Sequence, residues 1–299
     1  MGVGNYTEVD VREASRAFTG WTFEYKIPRL PYGRYPWKFE YRPEDHDDGE
    51  KTFLGHTGRF NGQDIIDIVV QQPACHRFVS RHLYNFFVAD EVQVPAWQID
   101  PPRDPQAIDT LSTSFRDSGL EMKAVLRTLF NSDFFKEEAI RYAHVKSPAE
   151  VVVGTLRVVG GSAFPGPGVG DLSMQPTYMG QDLLNPPSVE GWHTGEEWIN
   201  SGSLMARINF MSDRFGDSTL PGVRDIIDRL RAQGDMTPDQ LVDNCLDLMG
   251  PLDVDEGTKR ELTEQASGDG NLQWSAPNAE SRVSSMLQLI AATREFQFA

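Results

Sequence analysis

"NGQDIIDIVVQQPACHRFVSRHLYNFFV", Asn61 to Val88, decides the fold class. Asn61 stands as an N-cap with Asp64 three residues on, the spacing of a capping box. Pro73 opens the second half of the stretch, where a first helical turn tolerates proline. Two consecutive helices follow, and the chain reads as helical from Asn61 to about Gly160. "DPQAIDTLSTSFRDSG" and "EMKAVLRTLFNSDFF" meet at Gly119, and "SPAEVVVGTLRVVGG" begins at Ser147 with Pro148 and Glu150, again a cap pattern.

Working outward from this stretch, Thr7 is an N-cap with Asp10 three residues on. Val11, Ala14, Ala17 and Phe18 keep helical spacing up to a stop at Gly20. "WTFEYKI", "YPWKFEYRP" and "KTFLG" are aromatic and β-branched, broken by Pro and Gly, and predict two or three short strands. Downstream, "GGSAFPGPGVG" predicts a flexible loop over 160–171. "YMGQDLLNPPSVEGWHTGEEW" then links to the helix "SGSLMARINFMSDRF". Three further helices are expected in "PGVRDIIDRLRAQG", "TPDQLVDNCLDLMG" and "AESRVSSMLQLIAATREFQ", with a short helix and a loop before the last. The expected fold class is therefore mainly α, a multi-helical globular domain with a small β excursion near 21–55. A single domain over 1–299 is expected, with sub-regions 1–60, 61–215 and 216–299.

The formal charge of −16 repels phosphate backbones, which argues against nucleic acid and leaves cations or cationic partners as candidates. Cys75 and Cys245 have no metal-ligand spacing. One long-range disulfide or two buried thiols both satisfy the sequence. No apolar run approaches the roughly 18 residues of a membrane span, and the first residues lack a signal peptide's basic and apolar regions.

"NYTEVDVREASRAFTGW", "HDDGEKTFLG", "QPACHRFVSRHLYNFFV", "VKSPAEVVVGTLR" and "YMGQDLLNPPSVEGW" occur in this order along nearly the whole chain. Together they resemble the bacterial family known as domain of unknown function 1800. The resemblance implies a longer protein, exported to the periplasm or beyond, in which "MGVGNYTE" is internal and this chain is the C-terminal part. It also implies gene neighbours similar to alkaline phosphatases and sulfatases, hence a secreted enzyme as candidate partner. It implies no settled activity.

Three constellations could carry chemistry. His46, Asp47 and Asp48, on a Gly-containing turn, are the candidate ligands of a divalent cation, and His46 and Asp47 the candidate catalytic pair. The EF-hand spacing fails, because Gly55 falls where a bidentate Glu is required. His46, Asp47 and Lys51 match the family's pattern. The competing reading is a turn held by Asp side chains with His46 packed beside it.

In "NPPSVEGWHTGEEW", Trp192, His193 and Trp198 could face a sugar, with Glu190, Glu196 and Glu197 as carboxylates. Asn200 and Arg207 follow on the next helix as ligand contacts. Against this, tryptophans flanked by prolines fill gaps between helices, and glutamates in a first turn suit its dipole. The third constellation pairs Arg77 and Arg81 on one helical face near His82, and sets His144, Lys146 and Glu150 around a cap. The motifs of a nucleophile elbow and a P-loop are absent. The expected function is a binding or accessory protein for a glycan or a secreted partner enzyme. A polysaccharide hydrolase and a purely structural scaffold are the alternatives.

Overall fold

Helices start where short polar side chains can catch the first free backbone N–H groups. Thr7 and Asp10 close a capping box on α1 (Glu8–Ala17), Asn61 and Asp64 on α2 (Gly62–Val70), and Ser147 and Glu150 on α7 (Pro148–Val159). The computed structural model describes residues 1–24, 38–161, 168–188, 191–192, 194–250 and 252–298. Among these the fold is mainly α, with fourteen helices and two small antiparallel two-stranded sheets.

The chain divides into two compact units. The first joins Met1–Phe87 to Val92–Lys136, and the second joins Val88–Glu91 to Glu137–Ala299. The division falls inside the helical stretch that the sequence presents as one. In the first unit β1 (Trp21–Glu24) pairs β2 (Lys38–Tyr41), and β3 (Lys51–Phe53) pairs β4 (His56–Gly58). The β3–β4 turn places Leu54 and Gly55 at positive φ. Leucine is unusual there, and its N–H is held by the Asp10 carboxylate at 2.8 Å. Ala17, Phe53 and Ile65 form a small core under this turn. The remaining helices of the unit are α3 (Pro73–Phe87), α4 (Pro105–Asp117), α5 (Met122–Asn131) and the short α6 (Asp133–Lys136).

The second unit carries the larger core. It is built by α7, α8 (Val169–Tyr178), α9 (Ser201–Gly216), α10 (Pro221–Gln233), α11 (Pro238–Leu248), α12 (Glu256–Ser267), α13 (Ala279–Ala292) and α14 (Arg294–Gln297). Helix α8 corrects the loop expected over 160–171 at its end and extends a helix through "MQPTY", with Pro176 inside it; residues 162–167 lie outside the described set. The final helix also differs from expectation. It breaks at Thr293, whose side chain caps α14 afresh. Both cysteines are free and buried, and burial pushes the Cys245 thiol up to about 12.

Gly222 marks the tightest approach in this unit. A Cβ there would lie 1.9 Å from the carbonyl oxygen of Val158, so α10 reaches α7 only because the side chain is missing. Gly222→Ala should therefore destabilise the protein by at least about 1–3 kcal/mol, the usual cost of overpacking. A denaturant midpoint equal to wild type would refute the close approach.

Candidate functional site

The second unit holds a cavity of about 400 Å³, within the range of small-ligand sites. Its apolar wall comes from Val151, Val158, Met249, Leu252, Phe296 and Phe298, and its polar groups are Arg141, Tyr142, Lys146, Glu150 and Thr155. Gly154, on α7, leaves open space where a side chain would stand.

Lys146 is fixed from three sides. Its backbone N–H donates to the Gln297 carbonyl at 3.0 Å, and its carbonyl accepts from Arg207 Nη2 at 2.8 Å. Its Nζ donates to the Phe296 carbonyl at 2.8 Å and lies 4.9 Å from the Phe296 ring centroid. Burial lowers the pKa of the ammonium, and the Glu150 carboxylate partly offsets this. Arg207 is 0% exposed, and its Nε and Nη1 have no partner among the described residues. Burial draws its pKa down to about 10, again against the pull of Glu150. Thus one carboxylate, Glu150, counters both Lys146 and Arg207 while capping α7. The Thr155 hydroxyl is buried and has no partner among the described residues.

Behind Lys146, the excursion Val88–Glu91 is pinned to the same unit by Asp90. Its N–H donates to Ala143 O at 3.0 Å, its Oδ2 accepts from Val145 N–H at 2.7 Å, and its Oδ1 lies 2.6 Å from His144 Nδ1. The bond to Asp90 raises the His144 pKa above 6.5, with burial opposing it. Tyr142, lining the cavity, has φ 59°, an uncommon value for an aromatic residue; its hydroxyl accepts from Asp253 N–H at 2.9 Å.

The His46–Lys51 turn is held by its own side chains, as the competing reading of the sequence has it. The Asp47 carboxylate accepts from Arg16 Nε at 2.7 Å and Nη2 at 3.2 Å, and its Oδ1 also accepts from Gly49 N–H at 2.8 Å. The Arg16 bonds, first, hold its pKa down to about 2. The His46 ring bonds Thr19 O at 2.9 Å, while Thr19 Oγ1 accepts from Asp47 N–H at 2.8 Å. Lys51, 1% exposed, donates to the Asp47 and Gly49 carbonyls. His46 Nε2 and Asp48 Oδ1 lie 4.0 Å apart, and the described residues contain no group of three His, Cys, Asp or Glu placed to hold a metal ion.

The tryptophan loop belongs to the second unit, whereas His46, Asp47 and Lys51 belong to the first. Trp198 is buried at 7% exposure, and the half-buried Trp192 has its ring N–H shut off from water. Asn200 caps α9 through Gly202 and Ser203 N–H, and Arg207 is in the interior. Glu196 and Glu197 are exposed in a 3₁₀ turn, Gly195–Trp198. His193 and Glu190 lie outside the described residues. Of the residues at the cavity, the sequence marks Lys146 and Glu150, with His144 beside them. Arg141, Tyr142, Thr155 and Phe296 carry no local signal, since they meet only through long-range packing.

Two outcomes follow. A His whose folded pKa exceeds its unfolded 6.5 gives stability that is complete below about pH 6.5 and is lost as pH rises through the folded value. The melting temperature should fall above pH 6.5 in wild type and fall less in His144→Gln; identical pH profiles would remove the Asp90–His144 pair from the balance. Lys51→Met, which leaves two carbonyls unpaired at a buried position, should lower stability by roughly 1–3 kcal/mol in a urea titration. Wild-type stability would show that the turn does not depend on it.

No curated protein and no solved structure matches the chain. One family model, described as protein of unknown function (DUF1800), matches residues 1–298. Essentially the whole chain is covered by that match, and the protein belongs to the DUF1800 family.

Proposed function

We propose that this protein binds, without covalent chemistry of its own, a ligand that has an apolar body and an anionic end, in the cavity beside Lys146. The observation that carries this reading is the lining itself: the half-buried ammonium of Lys146 stands beside an apolar wall of Val151, Val158, Met249, Leu252 and Phe296, and Glu150 is the one carboxylate among the residues that line the cavity. In a chain of net charge −16, an excess of positive charge in an apolar recess is a specific arrangement. A carboxylate entering the cavity would meet the half-buried ammonium of Lys146 in a charge-assisted hydrogen bond.

A non-catalytic role is supported by the turn of the first unit, where the Asp47 carboxylate is committed to Arg16 and Gly49 and His46 Nδ1 to the Thr19 carbonyl. That bonding takes the Asp47 carboxylate from the hydrolase reading. Of the groups the glycan reading needs, Trp198 and Arg207 are buried. Export, and service to a secreted phosphatase- or sulfatase-like enzyme, belong to the same proposal and rest on the family resemblance.

Calorimetric titration with sodium octanoate and with octanol tests it. Octanoate should bind at least tenfold more tightly, because a hydrogen bond to a charged group contributes about 1.5–3 kcal/mol. Lys146→Met should abolish the difference between the two. Equal binding of acid and alcohol, or no heat from either, would overturn the proposal.

A further inference from the structure

The cavity continues into a second, polar cleft of about 380 Å³ along three segments of chain. Arg141 and Tyr142 line both. Leu252 lines the cavity and its neighbour Asp253 the cleft; Phe296 lines the cavity and its neighbour Glu295 the cleft. The two recesses have opposite chemistry. The cleft is lined by four carboxylates, Glu138, Asp253, Asp255 and Glu295, against Arg141 and Arg294. Arg141 is committed to Asp253 at 3.0 Å, and Arg294 lies 5.2 Å from the Phe298 ring.

Glu295 supplies the second, independent observation. It is 7% exposed. Its Oε1 accepts from Asp255 N–H at 3.2 Å and from Thr258 Oγ1 at 3.1 Å. Its Oε2 is buried with no hydrogen-bond partner among the described residues. A buried carboxylate oxygen without a donor is costly, and a cationic N–H donor is the group that relieves it best.

We propose that cavity and cleft together hold the C-terminal end of a peptide chain. The terminal carboxylate meets Lys146, an apolar last side chain fills the cavity, and a basic side chain a few residues earlier donates to Glu295 Oε2. A peptide end is the ligand class that places an anion, an apolar group and a cation in line within a few residues. This assignment rests on the reading of the cavity as a site for an anion with an apolar body, and adds a partner to it.

Fluorescence anisotropy with fluorescein-labelled hexapeptides ending in leucine tests the proposal. One set carries a lysine three, four or five residues from a free carboxylate; controls carry a C-terminal amide, or alanine in place of lysine. At least one lysine position should bind about tenfold more tightly than both controls. Glu295→Gln keeps a carbonyl oxygen for Asp255 and Thr258; it should erase the advantage of lysine and leave the amide penalty intact. Should that variant fail to fold, the wild-type comparison decides alone. Equal affinity of lysine and alanine peptides at every position overturns the role of the cleft. Equal affinity of acid and amide overturns the placement of the carboxylate. If octanoate binds and no peptide does, the peptide inference falls and the cavity reading stands; if neither binds, both fall.

Discussion

A guanidinium with no access to water is the constraint around which the second unit is arranged. Arg207 remains charged at neutral pH even with its pKa drawn down to about 10. Removing one partner from a buried charge costs about 3–5 kcal/mol, so the contacts such a charge does make are held firmly. Its Nη2 donates to the Lys146 carbonyl. The same residue's N–H holds Gln297, and the preceding Val145 forms a β-bridge with Phe298. Three segments that are remote in sequence therefore converge on one residue, and the ammonium of Lys146 is delivered to the cavity wall as a consequence. Glu150, one turn into α7, then serves twice, as N-terminal cap and as counter-charge. Either service alone would fix its position; together they tie helix initiation to the electrostatics of the site.

The parts of the fold legible in the sequence are those decided within a few residues. Capping boxes at Thr7, Asn61 and Ser147 are complete in four positions, and the helices follow them. Helix α8 was illegible because Gly170 and Pro176 suppress the periodic signal, while its backbone is completed by packing against α7 and α9. The break at Thr293 was hidden for the opposite reason: "AATREFQ" continues good helix formers, and only the burial of Glu295, Phe296 and Gln297 shows the restart. The cavity is a long-range object. Its walls come from residues between 141 and 158, from Met249, Gly250 and Leu252, and from Phe296 and Phe298, and no local pattern announces that these meet.

The His-Asp-x-Gly-x-Lys turn shows how the same residue types serve both chemistry and structure. Imidazole, carboxylate and ammonium groups suit proton transfer because they form strong, directional bonds. A sharp turn that must satisfy its own backbone needs the same property. Here Asp47 binds Arg16 and Gly49, His46 binds Thr19, and Lys51 binds two carbonyls from a site 1% exposed. What distinguishes the two uses is vacancy. A catalytic group keeps a polar atom available to a substrate; here the Asp47 oxygens and the Lys51 ammonium bond back into the protein, while His46 Nε2 stands 4.0 Å from Asp48 Oδ1. By the same criterion Thr155 and Glu295 Oε2 stand out, though neither belongs to a motif.

The net charge of −16 and a cation-rich cavity are compatible because they act over different distances. The surface field extends about a Debye length, 8–10 Å in physiological salt, and disfavours extended polyanions such as nucleic acid. It discriminates weakly against a single carboxylate, whose charge is one. At contact the balance reverses. Inside an apolar wall the effective dielectric falls, and one ammonium counts for more than many distant, screened carboxylates. The desolvation of that carboxylate has to be offset, and apolar area buried alongside it does so at about 25 cal/mol per Å². A bare anion brings no such area. On the proposed reading, an acidic exterior with a cation in an apolar recess selects against polyanions and against small free ions together, and favours a lone anionic group attached to an apolar body.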